Sequence, residues 1–484
     1  MTIAVGNVEK TQTRLRFTIV AMLFAVTMVN YADRATISIA GPALSKQLGL
    51  TPVQMGYIFS AFGWSYVICQ IPGGWLLDRF GSKIVYFWSI FLWSSFTILQ
   101  GGVGIAGTGA AAISALFILR LLVGLAESPS FPANGRIVAA WFPANERGTA
   151  SAIFNSAQYF ATALFAPIMG WIVSSFGWPY VFYFMGLLGI LVSLIWLKTV
   201  YSPKDHPRLS AAELDYIEKG GALVHMDQPK IERYITRAEL ELDNVERGGL
   251  KTMNTRAEDN RNAVQWGYIK QLLTNRMLLG VYVAQYCITT LTYFFLTWFP
   301  VYLVQQRGMS ILNAGMVASI PAICGFIGGV LGGVISDFLL RKTGSLTWAR
   351  KIPIVVGMLM SMSMILCNYV QSQSLVIELM ALAFFGKGVG ALGWAVVSDT
   401  SPKEIAGVSG GLFNTFGNIA SITTPIVIGY IVQSTGSFNG ALVYVGANAL
   451  VAIISYLVVV GEIKRVELAN PAHQSGPAAS RAEK

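Results

Sequence analysis

Charged side chains are scarce in this 484-residue sequence: Asp, Glu, Lys and Arg make up 12% of it, against about 25% in a soluble protein. With 54% hydrophobic residues and a mean hydropathy of +0.57, that shortage excludes an ordinary soluble domain. Histidine occurs three times, at His206, His225 and His473, each outside the long apolar runs. A histidine proton relay inside those runs is thereby excluded. The four cysteines (Cys69, Cys287, Cys324, Cys367) lie in apolar runs with no CxxC spacing. They read as small buried hydrophobes, not as disulfides or metal ligands. The His and Glu residues scattered over 201–265 show no metal-ligand spacing either, so no metal is expected. No nucleophile–base constellation is apparent, so an enzyme is not expected. The first sixteen residues are polar, with Lys10, Arg14 and Arg16, and the apolar run behind them is of full spanning length. A secretory signal peptide is not expected.

What the sequence has in quantity is apolar runs. Twelve are long enough for a ~30 Å hydrocarbon core, which takes about 20 residues. They lie near 17–41, 54–77, 84–103, 110–141, 147–173, 178–199, 277–304, 310–340, 350–370, 375–399, 404–434 and 437–461. The chain is therefore expected to be an all-α membrane protein of twelve transmembrane helices. Its basic residues flank the runs instead of forming a patch, so the net charge of +10 reads as topology, and no nucleic-acid partner is expected. On the side of the N-terminus lie thirteen Lys and Arg: Lys10, Arg14, Arg16, Arg79, Lys83, Arg147, Arg341, Lys342, Arg350, Lys351, Lys403, Lys464 and Arg465. The opposite side has two, Lys46 and Arg307. Both termini are expected in the cytoplasm.

The two sets of six runs are repeats. At one ungapped offset of 259 residues, Gly56 meets Gly315, Gly73-Gly74 meets Gly332-Gly333, Asp78 meets Asp337, Pro143 meets Pro402, and Phe154-Asn155 meets Phe413-Asn414. Glycines match often by chance; the Asp and Phe-Asn coincidences carry the argument. Parallel repeats of this kind build transporters with a midplane site between the halves. The expected organisation is an N-terminal tail (1–16), a six-helix half (17–199), a cytoplasmic linker (200–276), a second six-helix half (277–462) and a C-terminal tail (463–484). Within the linker, Ser210-Ala-Ala-Glu213 is a capping-box pattern and Gly220-Gly221 a stop, which predicts one short surface helix. The rest of the linker reads as solvated and mobile.

The motifs carry a resemblance. GGWLLDRFGSK (73–83) is similar to the signature loop of the major facilitator superfamily, and GGVISDFLLRK (332–342) to a decayed second copy. NYADRAT (30–36), FSAFGWSYVICQIPGGWLLDRFG (59–81), ESPSFPANGRIVAAWFPANERGTASAIFNSAQYF (127–160) and FFGKGVGALGW (384–394) resemble the bacterial anion:cation symporters, and among these most of all the hexarate (glucarate and galactarate) permeases. The resemblance implies two pseudo-symmetric six-helix halves, alternating access, an organic anion as cargo, the bacterial inner membrane as location, and no cofactor beyond a coupling proton. It leaves 201–265 and the C-terminal tail uncovered.

Ionisable residues deep in the runs are few: Asp33 and Arg34 in span one, Arg120 and Glu127 in span four, and Lys387 in span ten. A charge at bilayer depth costs about 2.5–3.5 kcal/mol on insertion scales, so it persists facing a partner or a cavity. Arg120 and Glu127, seven residues apart, share a helix face. Their plain alternative is a structural ion pair between helices. Asp33 and Glu127 are the proton-accepting candidates at depth, with Arg120 as a coupling partner. With Arg34, Arg120 and Lys387 charged, the set carries +1 when both carboxylates are ionised and +3 when both are protonated. It should hold an anion better once protonated, which is the physical basis of proton–anion symport. Relative depth pairs Asp33 with Arg120, and Glu127 with Arg34.

Polar side chains fit for hydroxyl recognition are Tyr66, Asn155, Gln158, Gln285, Trp394 and Asn414. The resemblance to sugar-acid symporters supports Arg34, Tyr66, Gln158, Gln285, Trp394 and Asn414 as substrate contacts. Interhelical hydrogen bonding is the alternative for each. Lys387 is repeat-related to Ser128, next to Glu127, and stands too far from either end of its span to snorkel. Asp78, Arg79 and Asp337 at the cytoplasmic mouth, with Arg136 lower in span four, are gating candidates. Asp78 is expected to cap a helix near Gly407, and Asp337 one near Gly148. GVGALG (388–393) fits a dinucleotide fingerprint but lacks a strand before it, and reads as close helix packing. The expected function is proton-driven import of an aldarate dianion by a monomer. The alternatives are a sugar monoacid such as galactonate or another organic anion as cargo, or a transporter-like nutrient sensor.

Overall fold

A computed structural model describes residues 13–107, 109–227, 268–402 and 405–467. Lys10, Lys403, His473, linker residues 228–267 and most of both tails lie outside the described residues. Among the described residues the chain is helical throughout, without strands. Eleven stretches are long and apolar enough to cross a membrane. The twelfth spanning helix is α2 (Pro52–Phe80), whose Gln54, Ser60, Ser65, Gln70, Asp78 and Arg79 lower its hydropathy but not its length of 29 residues.

The first span, α1 (Leu15–Leu48), runs 34 residues, about 51 Å at 1.5 Å per residue. It closes on Gly49 in the left-handed conformation (φ 68°), whose N–H returns to the Ser45 carbonyl. A capping box of Thr51 and Gln54 opens α2. There follow α3 (Ser82–Gly101), α4 (Ala110–Glu127), α5 (Ser130–Trp141), α6 (Arg147–Phe176) and α7 (Trp178–Thr199). Span four, expected as one helix over 110–141, is thus two, parted at Ser128-Pro129. Proline supplies no N–H to the ladder and clashes with the preceding turn. Beyond the linker helix α8 (Ala211–Lys219) come α9 (Arg276–Tyr293), a π-turn over Phe294–Trp298 just before Pro300, α10 (Phe299–Gln305), α11 (Ile311–Thr343) and α12 (Leu346–Ser361). Span ten is likewise broken, into α13 (Gln373–Val389) and α14 (Gly393–Thr400). The last spans are α15 (Ala406–Thr435) and α16 (Asn439–Ile454). Inside GVGALG, Gly388 lies against the backbone of Gly325 and Gly329, where a Cβ has no room, so these glycines serve close packing.

Two compact units are present. The first holds residues up to Arg247 together with Phe295–Ile323 and Ser421–Phe438. In it α1 packs on α6 and α7, α2 on α4, and α3 on α4 and α7. It also contains two crossings in which glycine lets backbones touch. A Cβ on Gly56 of α2 would stand 2.6 Å from the Pro425 carbonyl of α15, and one on Gly315 of α11 would stand 2.7 Å from the Ala166 carbonyl of α6. Under the 259-residue offset Gly56 meets Gly315 and Ala166 meets Pro425, so the two crossings are images of each other. They tie the outer ends of α11 and α15 to the first six spans, so the unit boundary departs from the halves. The second unit packs α12 on α13, and α16 on α9 and α12.

The linker up to residue 227 contains the expected short surface helix, α8, and is also docked on the first unit. Ser210 caps α8 through the Glu213 N–H, as its pattern predicts. The Glu213 side chain is fully buried and turns away to α1, where it accepts from the Thr13 hydroxyl (2.7 Å), the Leu15 and Arg16 N–H groups and the Arg16 guanidinium (3.0 Å). It therefore caps a helix nearly two hundred residues away, one that has no side-chain cap of its own. Past α8 the chain is held by Ala144 N–H to the Gly220 carbonyl and Leu223 N–H to the Ala139 carbonyl. His206 lies edge-on between Trp141 and Tyr201, and this burial lowers its imidazole pKa. Residues 200–227 form a strap across the first unit.

Candidate functional site

Span one contributes Asp33 and Arg34, and α4 contributes Arg120 and Glu127. All four are buried, at 3%, 4%, 3% and 0% relative exposure. Charges so far from water persist by mutual compensation, two cations against two anions. Arg34 Nε donates to Glu127 Oε1 at 2.6 Å, the pairing that depth predicts. The Arg34 guanidinium also lies over the rings of Tyr31 (4.8 Å), Phe62 (4.6 Å) and Tyr66 (4.8 Å). An aromatic box of this kind stabilises a cation through ring quadrupoles while leaving its N–H edge for anions. Tyr66 is buried and stacked on Phe62.

The second expected pair does not form. Asp33 Oδ2 instead accepts from the Thr97 hydroxyl of α3 at 2.9 Å, and no ion pair to Arg120 exists among the described residues. Arg120 stands over the Phe62 ring at 5.6 Å. Helix rotation about α1 decides this, and rotation has no signature in depth along the span. Glu127 ends α4, so the last carbonyls of that helix need partners inside the protein. Serines supply them: Ser128 donates to the Leu125 carbonyl (2.9 Å), Ser89 to that of Ala126 (2.5 Å), and Ser130 to that of Glu127.

On α6, Asn155 donates to the Ser151 carbonyl and Gln158 to the Asn155 carbonyl. In the second unit, Lys387 is buried in the last turn of α13, over the Phe384 ring at 5.2 Å. The break in span ten places the carbonyl end of that helix beside the ammonium, a favourable field for a cation. Gln285 of α9 donates to Thr289 (3.2 Å). Trp394, exposed, meets Phe413 edge-on, and Asn414 accepts from the Asn418 amide (3.1 Å). Arg34, Tyr66, Asn155 and Gln158 thus belong to the first unit, and Gln285, Lys387, Trp394 and Asn414 to the second.

The gating candidates Asp78 and Asp337, expected to cap helices near Gly407 and Gly148, each take an arginine of their own unit. Arg136 binds Asp78 through Nη1, Asp227 of the strap through Nε (2.9 Å) and the Met226 carbonyl through Nη2 (2.8 Å). In the second unit Arg350 reaches Asp337 (3.6 Å) and Asp399 (2.8 Å). Arg79 lies over Trp75 and Phe80. Sequence reasoning missed Thr97 and Asp227, and read Glu213 as part of a local capping box instead of as the partner of α1 and Arg16. It also missed Asn30 and Asn134, although these stand three residues before Asp33 and seven after Glu127, on faces already singled out.

Residues 23–425 match the family described as Major Facilitator Superfamily. The chain belongs to this superfamily. Among its superfamily relatives, a probable galactarate/D-glucarate transporter of Bacillus subtilis (strain 168) is 65% identical over 94% of both chains. Another of that description, from Escherichia coli (strain K12), is 64% identical over 96% of this chain and 97% of its own. A D-galactonate transporter of Escherichia coli O6:H1 is 39% identical over 94% of this chain and 97% of its own. The crystal structure of a D-xylose–proton symporter shares the fold, with a TM-score of 0.65 at 15% identity over 93% of this chain and 98% of that one. This superfamily member is a multi-pass membrane transporter and not an enzyme.

Proposed function

We propose that the chain is a proton-coupled symporter that imports an aldarate dianion of the galactarate/glucarate type across the bacterial inner membrane, as a monomer with both termini cytoplasmic. The observation that carries this reading is the buried Arg34–Glu127 pair in its aromatic box. While Glu127 is ionised it occupies the guanidinium. A proton on Glu127 ends the charge pairing and leaves Arg34 to a substrate carboxylate, so proton and anion bind in support of each other. Asp33, with Arg120 close by, is the second protonatable group. Tyr66, Asn155, Gln158, Gln285, Trp394 and Asn414 serve the hydroxyls, and Lys387 supplies a second cation. Asp78, Arg79, Arg136 and Asp337 serve the cytoplasmic gate, and no cofactor takes part. Relatives at 65% and 64% identity described as probable galactarate/D-glucarate transporters support the cargo.

The test is uptake of labelled glucarate into vesicles of purified protein under an imposed pH gradient. Wild type is expected to concentrate it, with loss on adding a protonophore. Glu127→Gln is expected to keep substrate exchange and to lose accumulation. Accumulation at the wild-type level in both Glu127→Gln and Asp33→Asn would sink the coupling role. Competition by galactonate over glucarate would assign the cargo to a monoacid.

A further inference from the structure

Below Glu127, on the side of the N-terminus, the first unit contains polar atoms that the mechanism above does not use. Asn30 of α1, Asn134 of α5 and Tyr86 of α3 are 1%, 1% and 0% exposed. Asn30 faces the Glu127 carboxyl, and Asn134 faces the Tyr86 hydroxyl. Asn134 Nδ2 donates to Thr27, which stands one turn from Asn30 along α1. Yet both amide atoms of Asn30, Glu127 Oε2, Asn134 Oδ1 and the Tyr86 hydroxyl have no hydrogen bond of good geometry within the protein. Buried polar atoms almost always have a partner. Five such atoms along one line are what a few internal waters satisfy, each making about three hydrogen bonds. The line has a direction. Asn134 lies two turns beyond Glu127, but the residues after it on that face, Ile137 and Val138, are apolar and buried. On α3, by contrast, Ser82 stands one turn below Tyr86 on the same face and donates to Asp227 of the strap at 3.0 Å.

We propose that Asn30, Asn134 and Tyr86 hold a file of internal water between Glu127 and Ser82, and that this file carries the coupling proton to and from the face bearing the N-terminus. The inference rests on Glu127 being the coupling carboxyl, as proposed above. The transfer is simple in its balance. Glu127 Oε2–H gives its proton to the first water, that water passes one of its own to the next, and a proton leaves at Ser82. The carboxylate left behind returns to Arg34. The two asparagines only orient waters; the Tyr86 hydroxyl accepts one proton as it donates another. All three are positioning residues.

The experiment follows deuteration of the Glu127 carboxyl by its infrared C=O band in purified full-length protein, the band being assigned by its loss in Glu127→Gln. Tyr86→Phe removes one oxygen and leaves the ring packing intact; Asn134→Leu is the second variant. Both are expected to slow deuteration at least tenfold. In vesicles, Tyr86→Phe is expected to keep substrate counterflow while its proton-driven rate falls by a similar factor. Deuteration at the wild-type rate in both variants overturns the file. Wild-type uptake that ignores the pH gradient would instead overturn the coupling role of Glu127, and the deuteration rates would still report on the water.

Discussion

At the scale of single residues, Glu127 pairs with Arg34 and the Thr97 hydroxyl donates to Asp33. Lys387 stands in the last turn of α13, near the carbonyl end of that helix and over the Phe384 ring. A substrate with two carboxylates calls for two cations, and Arg34 and Lys387 are the pair we assign to it. Lys387→Gln is therefore expected to lose diacid transport at least tenfold more than transport of a matched monoacid, since removing one partner of a buried charge pair costs about 3–5 kcal/mol. Competing uptake of the two substrates by one preparation measures it, and equal losses would make Lys387 structural. The Arg34–Glu127 pair was legible because depth along two spans is counted in residues. That Asp33 takes Thr97 instead of Arg120 was not, because nothing in a residue count reports rotation about a helix axis.

At the scale of elements, the strap and the glycine crossings carry the consequences. Glu213 neutralises the buried Arg16 and caps α1 at once. Glu213→Ala is expected to destabilise the first unit by about 1.5–3 kcal/mol, the range for hydrogen bonds to a charged group, since Arg16 keeps its pair with Glu146 (3.0 Å). A lower melting temperature, with faster hydrogen exchange over 200–227, checks this; unchanged exchange there would mean the strap is held by its backbone bonds alone. The crossings at Gly56 and Gly315 leave no space for a methyl group. Gly56→Ala and Gly315→Ala are expected to loosen the two repeat-related crossings, α2 on α15 and α11 on α6. In a background without native cysteines, Ser60→Cys, buried in the parent, should then react faster with a membrane-impermeant maleimide. Labelling at the parent rate in both would mean that the helices shift without parting.

At the scale of the whole molecule, thirteen basic residues against two predict the orientation. Tyr216 of the strap is exposed. Tyr216→Cys in the same background is expected to label in inverted vesicles and to resist labelling in right-side-out ones; the reverse pattern would invert the topology. The superfamily was reached through the resemblance of its motifs. Span number, the repeat and the charged residues at depth could be read from composition and spacing, because the bilayer imposes a length on each helix and a cost on each buried charge that a linear sequence must obey. The breaks at Ser128-Pro129 and Gly390–Leu392, the docking of residues 200–227 and the polar line beneath Glu127 could not. Proline and glycine permit a break without requiring one. Asp227 and Glu213 look like ordinary solvated charges until Arg136 and Arg16 are brought to them. Such contacts depend on which faces of distant helices meet, and that is settled by packing.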